Sequence, residues 1–156
     1  MAGQVSHELE VDVAASQVWE IYGGLRLAQL VQQQLSNLLE DYQVIQGDGG
    51  VGTVLKLTFV PGLPYRVAKE KFTKVDDEKR VKETEIIEGG FLELGFTLYR
   101  VRLEIIEKTQ VSCIIKSTIE YHVNEDAAAN ASLVSIQPFA DIALTVKNSL
   151  LSAIPK

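Results

Sequence analysis

The stretch VIQGDGGVGTVLKL, residues 44–57, carries the pattern G-x-G-x-x-G at Gly47, Gly49 and Gly52. This pattern is typical of dinucleotide-binding loops, in which the glycines open a helix whose N-terminus meets the phosphates. Here the glycines open TVLKLTFV, residues 53–60, whose alternation and β-branched residues predict a strand. The crossover helix is missing and no Lys-Ser/Thr pair follows, so the phosphate-loop pattern also fails. The stretch therefore predicts a hairpin loop whose glycines adopt positive φ angles.

The chain before this loop reads as a strand followed by two short helices. VSHELEVDV, residues 5–13, alternates apolar and polar residues as a half-buried strand does. Ser16 is the expected N-cap of a first helix, which the glycine pair at 23–24 ends. LRLAQLVQQQLSNLLE, residues 25–40, has apolar residues three and four apart and predicts a second helix. DYQVIQ, residues 41–46, predicts the strand that enters the glycine loop.

The chain after the glycine loop reads as a series of strands separated by turn residues. Pro-Gly, Asp-Asp and Gly-Gly pairs mark the turns. The five strands are TVLKLTFV (53–60), YRVAKEKFTKV (65–75), EKRVKETEII (78–87), ELGFTLYRVRLEIIE (93–107) and QVSCIIKSTIEYHV (110–123). Strands of this length with short turns between them predict an antiparallel meander.

The C-terminal part of the chain, from Asp126 onward, has helical periodicity. Its apolar residues recur at gaps of three and four, at Leu133, Ile136, Phe139, Ile142, Val146, Leu150 and Ile154. This spacing predicts a long amphipathic helix. Pro138 lies inside the pattern and is expected to kink the helix.

The order of the elements predicts an α+β fold in a single domain that spans residues 1–156. A curved antiparallel sheet of seven strands must cover its apolar face, and the long C-terminal helix is the element that can do so. The two short helices after the first strand would close one end. Such an arrangement encloses a cavity for a small molecule between sheet and helix.

The composition argues against several partners and sites. The 156 residues carry a net charge of -6, which disfavours nucleic acid and anionic membranes. The acidic balance either favours a cationic ligand, such as a protonated amine, or only maintains solubility. No stretch could span a membrane and the first residues lack an apolar signal core, so a cytoplasmic protein is predicted. Cys113 is the sole cysteine, and His7 and His122 lack partners at ligand spacing, so neither an intrachain disulfide nor a metal site is predicted.

GDGGVGT, residues 47–53, together with this order of elements, resembles the plant pathogenesis-related class-ten superfamily, whose familiar member is the birch pollen allergen. The resemblance covers nearly the whole chain and implies the helix-grip (START-like) fold. Further stretches resemble its alkaloid-forming branch, which contains norcoclaurine synthase and norbelladine synthase. These stretches are SHELEV (6–11), LRLAQL (25–30), IIEGG (86–90), LGF (94–96), IKST-EY (115–121) and AANAS (128–132).

The resemblance also implies which residues act. The functional residues of the norcoclaurine enzymes are a tyrosine, a glutamate, a lysine and an aspartate. The tyrosine-x-glutamate pair matches Ala68 and Glu70, so the glutamate is kept and the tyrosine is replaced. The lysine matches Lys82, and the aspartate matches Val101. The two replacements argue against the ring closure of the norcoclaurine reaction more than against simple imine formation.

Strand alternation puts Glu70 on one face with Ala68 and Phe72, and puts Lys82 on one face with Thr84. If these faces line the cavity, burial raises the pKa of Glu70 and lowers that of Lys82. Lys82 is then the candidate acid that dehydrates a carbinolamine, and Glu70 the base that also stabilises the iminium cation. The alternative is that the two residues form a solvated cross-strand pair.

The expected function is a condensation that needs no cofactor. Its substrates would be an aromatic amine, tyramine or dopamine, and an aromatic aldehyde, joined through an imine by a monomer or weak homodimer. The rival function is a non-catalytic carrier of a small hydrophobic ligand, such as a plant hormone, flavonoid or alkaloid. In both cases the expected cavity-lining residues are Ala68, Phe72, Thr97, Tyr99, Val101 and Phe139.

Overall fold

The computed structural model describes residues 1–153, so Ile154 of the predicted helical stripe lies outside the described residues. The strands are β1 (Ala2–Val11), β2 (Leu39–Gln46), β3 (Val54–Phe59), β4 (Val67–Asp76), β5 (Val81–Gly89), β6 (Phe96–Thr109) and β7 (Ser112–Val123). The α-helices are α1 (Ala15–Tyr22), α2 (Arg26–Gln34) and α3 (Gln137–Ala153). Two 3₁₀ helices, Gly90–Leu94 and Glu125–Leu133, precede β6 and α3.

The strands form one seven-stranded antiparallel sheet in the order β1-β7-β6-β5-β4-β3-β2, which confirms the predicted fold. β2 to β7 are sequential neighbours, as a meander requires. β1 pairs with β7 at the opposite edge from β2, so α1 and α2 carry the chain from one edge of the sheet to the other. α3 contacts β1, β7, α1 and α2. The curved sheet and α3 thus enclose the core.

The apolar core lies between the inner face of the sheet and the helices. α3 buries Ile142, Ala143 and Val146, which follow the predicted helical spacing. β7 contributes fully buried Ile115 and Ile119, four residues apart on the same face of the strand. Burial of one stripe of the helix and one face of the sheet is the hydrophobic driving force for this arrangement.

The glycine stretch forms the hairpin loop between β2 and β3, as predicted. Gly47, Gly49 and Gly52 have φ angles of 91°, 109° and 93°, which side chains with a Cβ rarely adopt. The Gly49 N–H donates a hydrogen bond to Thr53 Oγ1 at 2.9 Å. A Cβ at Gly49 would lie 3.3 Å from the backbone nitrogen of Leu25, so the loop packs closely on the junction of α1 and α2.

The two short helices differ from the prediction at their ends. α1 has Ala14 at its N-cap with no side-chain cap, so Ser16 is not the N-cap. α2 ends at Gln34, because Leu35 leaves the helix with φ -123° and ψ 54°. Leu39 instead opens β2 opposite Phe59. The apolar spacing up to Leu39 predicted a continued helix, but the pairing of Leu39 with β3 places it in a strand, because tertiary contacts override local preference.

The C-terminal helix is shorter than predicted, and Pro138 does not kink it. Val134 is extended, and α3 begins only at Gln137, so Pro138 lies in the first turn. A missing N–H is harmless there, because the first N–H groups of a helix have no intrahelical partner. Ile136 supplies the carbonyl that accepts the N–H groups of Phe139 and Ala140, each at 3.0 Å. No helix within residues 1–153 combines the length and apolarity needed to cross a membrane.

Candidate active site

A cavity of about 470 Å³ lies between the concave face of the sheet, α2 and the start of α3. This volume falls within the usual range for small-molecule pockets. Most of the wall is apolar, and its charged side chains among residues 1–153 are Glu70, Lys82 and Asp141. Asp141 lies on α3 and accepts a hydrogen bond from Gln137 Nε2 at 2.8 Å. The cavity therefore combines an apolar interior with two carboxylates and one amine.

Strand register brings the polar residues of the wall together. Glu70 on β4 pairs with Ile86 on β5. Thr84, two residues before Ile86 on β5, pairs with Phe72 on β4 and with Val101 on β6. Because alternate side chains share a face, all five residues line the same cavity wall.

Lys82 is held by the backbone of the junction between α1 and α2. Its side chain is buried, and its Nζ donates hydrogen bonds to the carbonyl oxygens of Tyr22 and Gly24, each at 3.1 Å. The same Nζ lies 4.0 Å from the centroid of the Phe72 ring. Burial lowers the pKa of Lys82 to about 8, against an opposing effect of the Glu70 charge. An ammonium has three N–H groups, so one remains for a group in the cavity.

The carboxyl group of Glu70 faces the same cavity. Burial raises its pKa, and the charge of Lys82 and a hydrogen bond from Thr84 oppose this effect. That hydrogen bond, from Thr84 Oγ1 to Glu70 Oε2, is long at 3.5 Å. Glu70 and Lys82 form no direct ion pair.

The alternative of a solvated cross-strand pair is wrong. Lys82 is only 3% exposed, and its partner on β4 is Val75 rather than Glu70. Glu70 is partly buried and borders the cavity. The structure thus places both groups on the wall of the cavity.

Five of the six expected lining residues lie on the cavity wall: Ala68, Phe72, Tyr99, Val101 and Phe139. Thr97 does not, which corrects the prediction. A bulge in β6 puts Phe96 opposite Val123 but Leu98 opposite His122, so one extra residue interrupts the alternation. Phe96 consequently points inward, while Thr97 is exposed beside His122.

An aromatic wall was not foreseen from the sequence. The Phe91 ring stacks on the Tyr99 ring with centroids 4.6 Å apart and also contacts Tyr65 at 4.9 Å. Tyr65 in turn meets the Phe59 ring edge-on at 4.8 Å. Tyr65 and Phe91 belong to a loop and a 3₁₀ turn, where no periodicity indicates which way a side chain points. Burial raises the pKa of the Tyr65 phenol, so it stays neutral.

Other polar groups of the protein contribute little to the site. Within residues 1–153, no cluster of His, Cys, Asp or Glu side chains is suited to hold a metal ion. Cys113 is a free thiol with no solvent exposure. Trp19 Nε1 donates to Asp77 Oδ1 at 2.9 Å, which ties α1 to the turn between β4 and β5. This contact helps position the carbonyl groups that hold Lys82.

The sequence matches the family model described as the pathogenesis-related protein Bet v 1 family over residues 1–153. Norbelladine synthase from Narcissus pseudonarcissus is 49% identical over 152 residues, which cover 97% of this chain and 93% of that protein. S-norcoclaurine synthase from Thalictrum flavum subsp. glaucum is 39% identical over 94% of this chain and 70% of that protein. For S-norcoclaurine synthase 2 from Papaver somniferum the identity is 39%, over 95% of this chain but 65% of the relative's length.

The fold also matches solved structures. Norcoclaurine synthase from Thalictrum flavum, in complex with dopamine and hydroxybenzaldehyde, superposes with a TM-score of 0.89 at 38% identity. That match covers 100% of this chain and 90% of the other. The structure of Ara h 8.0201, at 16% identity and a TM-score of 0.74, shares the fold alone.

Proposed function

Since this chain belongs to the pathogenesis-related protein Bet v 1 family, we propose that its cavity is the active site of a condensing enzyme. The enzyme joins an aromatic amine, such as tyramine or dopamine, to an aromatic aldehyde and forms an imine, without a cofactor. The observation that carries the proposal is that a buried amine, Lys82, and a partly buried carboxyl, Glu70, face one apolar cavity. The identity with norbelladine synthase over nearly the full length supports it.

The cavity suits two aromatic substrates. The rings of Phe72, Phe91 and Tyr99 offer flat apolar surfaces on which substrate rings can pack. Glu70 and Asp141 provide negative charge for a protonated amine. An apolar enclosure also strengthens each electrostatic interaction with the reacting atoms.

The reaction proceeds by addition and then dehydration. The amine nitrogen forms a bond to the aldehyde carbon, and Glu70 accepts the proton that this nitrogen loses. Glu70 passes this proton to the aldehyde oxygen, which becomes the hydroxyl of a carbinolamine, and Glu70 is again a carboxylate. The third N–H of Lys82 then protonates this hydroxyl, the C–O bond breaks, and water leaves. The Glu70 carboxylate stabilises the iminium cation that remains. The iminium then loses its N–H proton to the neutral amine of Lys82, which gives the imine and restores the ammonium.

The backbone anchor of Lys82 is compatible with this proton transfer. A neutral amine keeps two N–H groups and gains a lone pair. Lys82 can therefore release its third proton and still donate to the carbonyl oxygens of Tyr22 and Gly24. The nitrogen then stays in place with its lone pair free to accept a proton again. A pKa of about 8 lies close to neutral pH, as an efficient acid requires.

We assign the product to the open, norbelladine type rather than the ring-closed type. The positions that match the tyrosine and aspartate of norcoclaurine enzymes hold Ala68 and Val101, both buried on the cavity wall. Neither side chain can move a proton. Ring closure must remove a proton from an aromatic carbon, whereas imine formation needs only the acid and base supplied by Lys82 and Glu70. We further propose that the protein acts in the cytoplasm as a single domain of residues 1–156, as a monomer or weak homodimer.

Product formation tests the proposal. Tyramine or dopamine is mixed with 3,4-dihydroxybenzaldehyde or 4-hydroxyphenylacetaldehyde, a mild hydride donor reduces the imine to a stable amine, and mass spectrometry follows its rate. A protein-free reaction corrects for spontaneous condensation. We expect a rate above this background that Glu70→Gln abolishes and that Glu88→Gln, at an exposed ion pair with Lys69, leaves unchanged. No excess rate with any pair would refute the enzyme and favour a carrier in the same fold.

A further inference from the structure

Tyr99 presents a hydroxyl group to the cavity from a fixed ring. The residue is only 8% exposed and lies on the cavity wall. Its ring is parallel to that of Phe91 within 9°, with centroids 4.6 Å apart. The hydrogen bonds of the cavity side chains join Lys82, Thr84 and Glu70 to their partners, and none of them uses Tyr99. Within the described residues, this phenol is therefore free to bond to a ligand.

Strand register puts Tyr99 in one row with Glu70. Glu70 pairs with Ile86, and the β5–β6 pairing of Glu85 with Arg100, continued by one residue, sets Ile86 beside Tyr99. Two strand spacings, about 10 Å, then separate the backbones of Glu70 and Tyr99. Both side chains point into the cavity from the same sheet, so a small substrate can contact both at once.

The small residues around Ala68 allow this arrangement. A Cβ built on Gly90 would come within 3.1 Å of the Ala68 Cβ, so the 3₁₀ turn Gly90–Leu94 approaches the sheet closely. The approach brings Phe91, the next residue of the turn, onto the Tyr99 ring.

We propose that Tyr99 is a further catalytic residue of the condensation, whose hydroxyl donates a hydrogen bond to the aldehyde oxygen. This inference rests on the proposed function and deepens it. When the amine adds, the oxygen gains negative charge, and a fixed donor stabilises that charge more than it stabilises the neutral aldehyde. The phenol keeps its own proton throughout. Lys82 still protonates the leaving hydroxyl, and Glu70 still takes the amine proton, so the balance of the reaction is unchanged.

The environment of Tyr99 keeps it a donor. Burial, with a smaller contribution from the negative charge of Glu70, raises the pKa of its phenol above the ordinary value. Such a phenol is protonated over the whole physiological range. It therefore cannot act as a general base, and its role is limited to hydrogen bonding.

The first test is the variant Tyr99→Phe, which keeps the ring and its stacking on Phe91 but removes the hydroxyl. We expect kcat to fall by about 10²-fold, the effect of losing one donor to a developing oxyanion, with a much smaller change in KM. Tyr42→Phe, which removes a hydroxyl on β2 outside the cavity wall, is the matched control and should leave kcat nearly unchanged. Equal loss in both variants, or no loss in Tyr99→Phe, would overturn the proposal.

A second measurement separates this inference from the proposed function. The infrared stretching frequency of the carbonyl in bound 4-hydroxybenzaldehyde reports hydrogen bonding to its oxygen and needs no turnover. We expect a lower frequency in the wild type than in Tyr99→Phe. If this difference appears but no condensation occurs, the contact stands and the proposed function fails. If condensation occurs but the frequency and kcat are the same in both proteins, the role of Tyr99 is refuted. If the aldehyde does not bind, both are refuted.

Discussion

Lys82 donates a hydrogen bond of 3.1 Å to the backbone carbonyl of Tyr22, which lies 60 residues earlier in the chain. The bond joins the middle of the sheet to the end of α1 and fixes a buried amine of the cavity wall. The position of the Lys82 amine and its pKa thus depend on the helices that bury and hold it, as well as on β5.

Lys82→Met should remove the acid while it keeps most of the apolar packing. We expect the condensation rate to fall by about 10²- to 10⁴-fold, the usual contribution of a placed general acid. The exposed residue Lys71 on β4 provides the control variant Lys71→Met, which should retain full activity. Initial rates with the reductive trap, together with the thermal midpoint of each variant, check this. A fully active Lys82→Met protein that is correctly folded would contradict the assigned role.

The pH dependence of activity and of stability should diverge on the alkaline side. Activity needs protonated Lys82 and should fall as pH rises through about 8. Between this value and the ordinary 10.5, the folded protein binds fewer protons than the unfolded chain does. The contribution of Lys82 to the free energy of unfolding therefore rises with pH in that window. The difference between wild type and Lys82→Met in denaturant titrations from pH 7 to 11 isolates this contribution, and a flat difference would argue against the lowered pKa.

Glu70→Gln should lower the pKa of Lys82 further. The charge of Glu70 raises that pKa against the effect of burial, and the amide removes the charge without changing the shape. The titration of Lys82, followed by NMR of labelled lysine side chains, should move to lower pH in this variant. Glu85→Gln removes a β5 carboxylate that pairs with Arg100 on β6, and this variant should leave the titration of Lys82 unchanged. An unchanged titration in Glu70→Gln would mean that the two groups do not interact.

The bulge in β6 should make neighbouring residues respond in opposite ways. Phe96 is 3% exposed, and Phe96→Ala should destabilise the protein by about 3–5 kcal/mol. Thr97 is exposed and lies outside the cavity, so Thr97→Ala should change neither kcat nor the denaturation midpoint by a measurable amount. Urea denaturation and initial rates test both variants. Reduced activity in Thr97→Ala, with normal stability, would place Thr97 in the cavity after all.

Gly49→Ala should destabilise the glycine loop and affect the site at a distance. Its φ of 109° is unfavourable for alanine, and the added Cβ would press on the Leu25 backbone. We expect a loss of about 1–3 kcal/mol of stability. Because Leu25 follows the Gly24 carbonyl that holds Lys82, the rate should fall as well. Val51→Ala, at an exposed position of the same loop, serves as the control, and equal stability of the two variants would contradict the strain argument.

The seven strands and the orientation of Glu70 and Lys82 could be predicted because they depend on local alternation. Alternate residues of a strand share a face wherever the strand lies, so Glu70 with Phe72 and Lys82 with Thr84 line one wall as expected. The same argument failed at Thr97, since a bulge inserts one residue and reverses the alternation before it. A different local signal, helical spacing, failed at Leu39, because this residue pairs with Phe59 in a strand.

The sequence by itself determined the hairpin at the glycine loop, the strand order that follows from a meander, and the inward face of each central strand. These features depend on residues close together in the chain, whose conformational preferences and periodicity are local. The tertiary structure alone decided that Tyr22 and Gly24 hold Lys82, and that Phe91 stacks on Tyr99. Such contacts join residues of separate elements, and no local pattern encodes which of them meet. The chemistry of the cavity depends on these contacts because burial and partners, rather than residue type, set the pKa and direction of each group.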